Sequence, residues 1–208
     1  MRSVVKISKT VEEAVDMALK ELGVNEEDIH VEVLEEPSKG LFGLIGTRDA
    51  AVKVTVTNDP VEIVENFLNR ILLGMNVNGS CVVKKEGSCL YVDIVNINSS
   101  DMGIVIGKRG NTLDAIQYLL SLAVNKNRDH YIKVIVDAEG YRKRREDTLI
   151  RLANKMAQKA KYSNRPVRLE PMNPYERRII HSALQHVEGI DTHSEGEDPY
   201  RRVVIQAK

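Results

Sequence analysis

Residues 103–116 read GIVIGKRGNTLDAI. An apolar run leads into two glycines that bracket Lys108 and Arg109, and a helical pattern follows. Three readings compete: a nucleotide phosphate loop, a clamp for a nucleic-acid backbone, and a plain turn between helices. A Walker loop needs four residues between its glycines, then Lys and Ser or Thr. Here three residues separate Gly103 from Gly107, and Arg109 stands where the magnesium-binding hydroxyl belongs. The dinucleotide fingerprint G-x-G-x-x-G is absent as well. The spacing Gly107–Lys108–Arg109–Gly110 suits a backbone clamp. Two glycines let the chain turn tightly and approach a ligand without Cβ clashes. Amides opening toward the N-terminus of the next helix favour phosphate. On spacing alone, the plain turn stays open.

Periodicity places the motif among other elements. Upstream, Asp59 and Pro60 predict a cap and first turn for a helix reaching about Leu73. CVVKKE and CLYVDIVNI alternate as strands joined at Gly87, and a short helix covers about 100–106. After the motif, Leu113, Ile116, Leu120 and Ala123 share one helical face, and YIKVIVD closes the unit as a strand. The order over 58–138 is α-β-β-α-α-β. Residues 1–57 read β-α-β-β, with SVVKIS, a helix Val11–Leu22 capped by Thr10 with Glu13 as capping-box partner, IHVEVLEE and AAVKVTV. PSKGLFGLIGTRD reads as a glycine-rich connection. Residues 139–208 open with a basic helix from about Tyr141 to Ala160, its buried face being Leu149, Leu152, Met156 and Ala160. A short strand VRLEP, a helix from about Pro174 to Val187 and a terminal hairpin follow. The whole is an α+β chain of three small domains, 1–57, 58–138 and 139–208.

The net charge of zero hides a gradient. Residues 1–59 carry −5, residues 60–138 are balanced, and residues 139–208 carry +5, with +8 concentrated in 140–178. A basic C-terminal region suits a polyanionic partner. An acidic first region suits a protein partner better. No stretch approaches the roughly 20 apolar residues of a membrane span, and MRSVVKISKTVEEA turns acidic too soon for a signal peptide. The expected location is cytoplasmic, with Cys81 and Cys89 as reduced thiols.

A second constellation is PYERRIIHSALQHV, where Arg177 and His181 lie four apart and project from one helix face. Arg offers a forked phosphate donor that also stacks, and His stacks, donates or titrates. Arg201 and Arg202 follow in the final hairpin. Nothing points to catalysis: HExxH and G-x-S-x-G are absent, His181 and His186 are spread around a helix, and no nuclease-like carboxylate cluster accompanies the basic region. No catalytic residue, cofactor or metal site is expected.

With its flanking sequence and element order, the Gly107–Gly110 segment resembles a bacterial type II KH domain. That resemblance implies that about four nucleotides of single strand are held at Gly107, Lys108, Arg109 and Gly110, with bases beside Ile104, Ile106, Leu113 and Ile116. Pro171, Asn173, Arg177, His181, Ser194, Gly196, Pro199, Arg201 and Arg202 resemble the pattern of the R-three-H domain, which binds single-stranded nucleic acid. KGLFGLIG resembles the loop of the Jag N-terminal domain, as either a docking surface at Lys39–Gly43 or a structural turn. In this order the three units resemble the Jag, or KhpB, family of SpoIIIJ-associated proteins over nearly the whole chain. The resemblance implies a bacterial cytoplasmic protein that binds single-stranded RNA, with single-stranded DNA as a further ligand. It implies work as an RNA chaperone or post-transcriptional regulator, a small single-KH partner, and links to cell-envelope and cell-length control. The alternative is a protein-interaction adaptor at a membrane-protein insertase. Homo-oligomerisation stays open.

Overall fold

Three helix starts in this chain are set by short polar side chains. Thr10 Oγ1 accepts from the Glu13 amide at 3.2 Å, Asp59 Oδ1 from Val61 at 2.9 Å, and Asn173 Oδ1 from Glu176 at 2.8 Å. Each satisfies an amide that has no partner inside its helix. Pro60 and Pro174 follow their caps, where a missing N–H costs nothing. The expected capping box at Thr10 is only half formed, because the Glu13 carboxylate instead accepts from the Ser8 hydroxyl at 2.8 Å.

The computed structural model describes the backbone of residues 2–41, 45–126 and 128–208, and side chains outside 39–47. Phe42, Gly43 and the side chains of the Lys39–Gly43 loop therefore lie outside the described residues. The chain forms two compact units, one of residues 1–107 with 111–136, the other of residues 108–110 with 137–208.

The first unit begins with strand β1 (Ser3–Ser8), helix α1 (Val11–Leu22) and strand β2 (Ile29–Glu35). Two short strands follow, β3 (Ser38–Leu41) and β4 (Ile45–Arg48), then β5 (Ala50–Val56). The sheet order is β1-β5-β2, antiparallel throughout. Ala14 and Ala18 of α1 are fully buried against Val52 and Val54, so small residues bring the helix close to the sheet. The glycine-rich connection is corrected: β3 and β4 pair as an antiparallel ribbon, Ser38 opposite Arg48. Glycines there mask a pairing that the backbone makes without a strand-like side-chain pattern.

The same unit continues with α2 (Pro60–Gly74), β6 (Ser80–Glu86), β7 (Cys89–Val95), α3 (Met102–Ile106), α4 (Asn111–Val124) and β8 (Lys133–Ala138), whose last two residues fall in the second unit. The sheet order is β6-β7-β8, and the element order is the expected α-β-β-α-α-β. Leu68, Leu72, Leu90, Ile94, Leu113 and Leu120 are the large, fully buried side chains of this part. The α4 face ends on buried Val124, with Ala123 only half-buried. Cys81 and Cys89 are free thiols.

One polar knot ties the early and late segments of this unit together. Arg128 Nε donates to the Val124 carbonyl at 2.6 Å, Nη1 pairs with the Asp28 carboxylate, and Nη2 donates to the Asn58 carbonyl. Neither the Arg128 nor the Asp28 side chain is exposed. The Asp28 carbonyl accepts from Thr57 at 2.9 Å and Asn58 at 3.2 Å, fixing the connection into α2. A fully dry ion pair adds little net stability, but breaking it strands a buried charge.

The second unit contains α5 (Tyr141–Ser163), β9 (Val167–Arg168), α6 (Pro174–Leu184), β10 (Ile190–Glu195) and β11 (Arg202–Ala207), with sheet order β10-β11-β9. Its core joins Leu149, Ala153, Ala157 and Ala160 of α5 to Ile180, Leu184, Val203 and Ile205. The expected α5 face is therefore rotated. Alanines make the close contact, Met156 sits at the margin, and Leu152 is 36% exposed. Helix α5 runs three residues beyond Ala160, and α6 stops three short of Val187.

Breaking the knot should be costly. Arg128→Met should lower unfolding free energy by about 3–5 kcal/mol, because Asp28 is left charged and dry. Adding Asp28→Asn should recover part of that loss. Urea denaturation of the three variants reads it, and an Arg128→Met chain as stable as the wild type would dismiss the knot as a structural determinant.

Candidate nucleic-acid interface

Helix α3 ends at Gly107, whose amide donates to the Gly103 carbonyl at 2.9 Å. Gly107 has φ 72° and ψ −177°, a combination open essentially to glycine alone. A Cβ built there would lie 2.1 Å from Thr112 Oγ1 and 2.9 Å from the Thr112 amide nitrogen. Two independent reasons thus require glycine. Arg109 is also left-handed, at φ 60°, and Gly110 at φ 87° leads into α4. A Cβ on Gly110 would meet the Tyr141 ring at 3.1 Å.

This turn separates the two cations. Lys108 is exposed to solvent, on a backbone that is tightly turned. Arg109 is 27% exposed, and its guanidinium donates to the Pro171 carbonyl and pairs with the Glu170 carboxylate. Of the apolar residues expected beside the clamp, Ile104 is 49% exposed and available to a ligand. Ile106, Leu113 and Ile116 are buried and belong to the core. Helical spacing marks a buried face and a binding face in the same way, which is why sequence did not separate them.

In the second unit Arg177 and His181 do share a face of α6, and each is held. Arg177 is 12% exposed, with Nη2 3.4 Å from Asp198 Oδ1. His181 Nδ1 lies 2.8 Å from Thr192 Oγ1, and Nε2 2.9 Å from Ser194 Oγ. Hydroxyls donate or accept, so both ring nitrogens are satisfied with a neutral imidazole. Burial, then the Arg177 charge and His193, hold His181 below its ordinary pKa. Arg201 and Arg202 are half-buried at the start of β11. Arg177 Nε and Arg201 Nε are buried without a hydrogen-bond partner among the described residues.

Thr192, Asp198 and Glu170 are partners that the sequence reading did not assign. Thr192 and Ser194 were within reach of it, since a period of two puts them on one face of β10. Glu170 was not, because 61 residues separate it from Arg109. Among the described residues no group of three or more His, Cys, Asp or Glu is placed to hold a metal ion, and no helix is long and apolar enough to cross a membrane.

Family models match in the same order along the chain: the Jag N-terminus over residues 7–56, the KhpA/KhpB KH domain over 61–136 and the R-three-H domain over 147–207. A protein of Clostridium symbiosum named RNA-binding protein KhpB is 44% identical over 208 residues, covering all of this chain and 93% of the relative. The chain belongs to the KhpB family. RNA-binding protein KhpB of Bacillus subtilis is 35% identical over the full length of both chains, and that of Lactiplantibacillus plantarum is 35% identical over 60% of this chain and 41% of the relative. The fold described above is the mixed α/β arrangement of those three domains.

Gly107→Ala should cost about 1–3 kcal/mol from the left-handed backbone alone, and more from the Thr112 overlap. A calorimetric melt unchanged from wild type would refute the close approach. His181 should make stability fall with acidity. Its folded pKa lies below the unfolded value of about 6.5, so the unfolded chain binds more protons in that window. The stabilisation is complete above about 6.5 and is lost as pH drops through the folded pKa. Melting temperature against pH should be flatter for His181→Asn than for wild type below about pH 6.5; parallel curves would contradict the shift.

Proposed function

We propose that this chain binds single-stranded RNA through two sites, the Gly107–Gly110 turn and the Arg177/His181 face, carried by modules at 58–138 and 139–208. The observation that carries the reading is the turn itself. Gly107 is required on steric grounds, Lys108 follows it directly, and exposed Ile104 precedes it by three residues. Backbone amides and a cation at a helix start suit a sugar-phosphate chain. An exposed aliphatic surface suits an unstacked base. Family membership supports the reading, since the relatives are named RNA-binding proteins and KH and R-three-H domains are binding modules.

The second site adds Arg177, Arg201 and Arg202, each a candidate phosphate donor, with His181 kept neutral as a stacking or hydrogen-bonding surface. Two sites on one strand raise affinity by effective concentration without new contacts. Binding without turnover suits a chaperone or post-transcriptional regulator. The family resemblance extends this proposal to single-stranded DNA as a further ligand, to a small single-KH partner and to control of the cell envelope.

The test is the salt dependence of RNA affinity. Each phosphate contact on a single strand contributes about −0.7 to the slope of log affinity against log salt. Lys108→Ala should flatten that slope by about 0.7 and weaken binding at low salt, with an unchanged melt. A folded Lys108→Ala chain with wild-type affinity and slope would remove the turn from the interface.

A further inference from the structure

A cleft of about 390 Å3 opens in the second unit, and neither Arg177 nor His181 lines it. Its lining includes the guanidinium-bearing side chains Arg109, Arg145 and Arg168, the apolar Leu152 and Met156 of α5, and a single carboxylate, Glu170. We propose that this cleft is a nucleotide subsite. It takes one nucleotide of the single-stranded RNA whose backbone is held at Gly107–Gly110, and so rests on the reading above.

The size fits a small-molecule site and admits one nucleotide. The charge is complementary as well. All three arginines have carboxylate partners, but the partners of Arg145 and Arg168, Glu176 and Glu195, do not line the cleft. The lining therefore carries three positive groups and one negative. Arg145 is held through Nε by buried Glu176 at 2.7 Å, so its position is fixed by a carboxylate that stands outside the lining. The apolar part also calls for an explanation. Leu152 sits at a helical position that the core does not use, and it is 36% exposed. A base laid on Leu152 and Met156, with guanidinium planes at its edges, uses both halves of the lining. An acidic peptide would use only the charged half.

Glu170 then has a role. Its side chain is 79% exposed while it pairs with Arg109. An ion pair that open is worth little, so a phosphate displaces it readily. Glu170 holds Arg109 in the place that a phosphate takes over. Arg109 belongs to the turn, which makes the cleft continuous along the chain with the proposed clamp.

The full-length chain and a fluorescein-labelled oligouridine of about 12 nucleotides, long enough for a KH clamp and a neighbouring subsite, test this by anisotropy. Leu152→Glu should weaken binding by about fivefold. Glu170→Gln should tighten it by about threefold. That gain should vanish in an Arg109→Gln background, which separates competition at Arg109 from a general change of charge. If the wild type binds while both single variants match it, the cleft takes no RNA and the clamp reading survives. A Glu170→Gln gain that persists without Arg109 also overturns the proposal. A wild type that fails to bind brings down the clamp reading and the cleft together. Should Leu152→Glu melt early, photo-crosslinking of 4-thiouridine RNA to the wild-type chain decides: adducts within 145–172 are expected, and adducts confined to other segments contradict the subsite. A Glu-rich peptide that binds with the same variant dependence while oligouridine does not would assign the cleft to a protein and overturn it.

Discussion

There is no room for a side chain at position 107. The Thr112 hydroxyl and amide fill the space a Cβ would need, and the backbone there sits where only glycine is at ease. This closeness lets α4 start at Asn111 when α3 has ended at Ile106, with a single tight turn between them. Lys108 and Arg109 are thereby held at the start of a helix on a backbone with little freedom to rearrange. The functional proposal depends on that arrangement, because a looser connection would scatter the two charges.

Within each unit, the paired polar groups fall into two kinds. Some are fixed on a buried carboxylate: Arg128 with Asp28 in the first unit, where both side chains are dry, and the partly exposed Arg145 with Glu176 in the second. These specify geometry, and their cost appears only when one partner is lost. Others are exposed and exchangeable, such as Glu170 on Arg109 and Asp198 beside Arg177. Carboxylates of this second kind stand where phosphates would, at little energetic cost to release. His181 lies between the two kinds. It is anchored by Thr192 and Ser194 but positioned to respond to pH.

Most of the element order could be read from sequence because it rests on local physics. The caps at Thr10 and Asp59, the prolines behind caps and the alternating strands act within a few residues. The α+β class and the α-β-β-α-α-β order followed from them. Three features escaped for identifiable reasons. The β3–β4 ribbon pairs through backbone in a stretch whose glycines read as punctuation. The α5 face was placed on its larger apolar residues, whereas close packing favoured Ala153 and Ala157 and left Leu152 outside. At the site, Ile106 and Ile104 look alike in sequence, yet one is core and the other surface. The Arg128 and Arg109 pairs join residues 100 and 61 positions apart, beyond the reach of any local pattern.

If RNA meets the chain at the Gly107–Gly110 turn, the contact can be seen residue by residue. Titration of the isotope-labelled full chain with oligouridine, followed by amide NMR, is the direct measurement. The largest shifts are expected at Lys108, Arg109, Gly110 and Asn111, with a second set at Arg177, His181 and the start of β11. Both sets should recede as salt is raised. Shifts that spare the turn and fall elsewhere, at RNA concentrations that saturate binding, would contradict a clamp at this position.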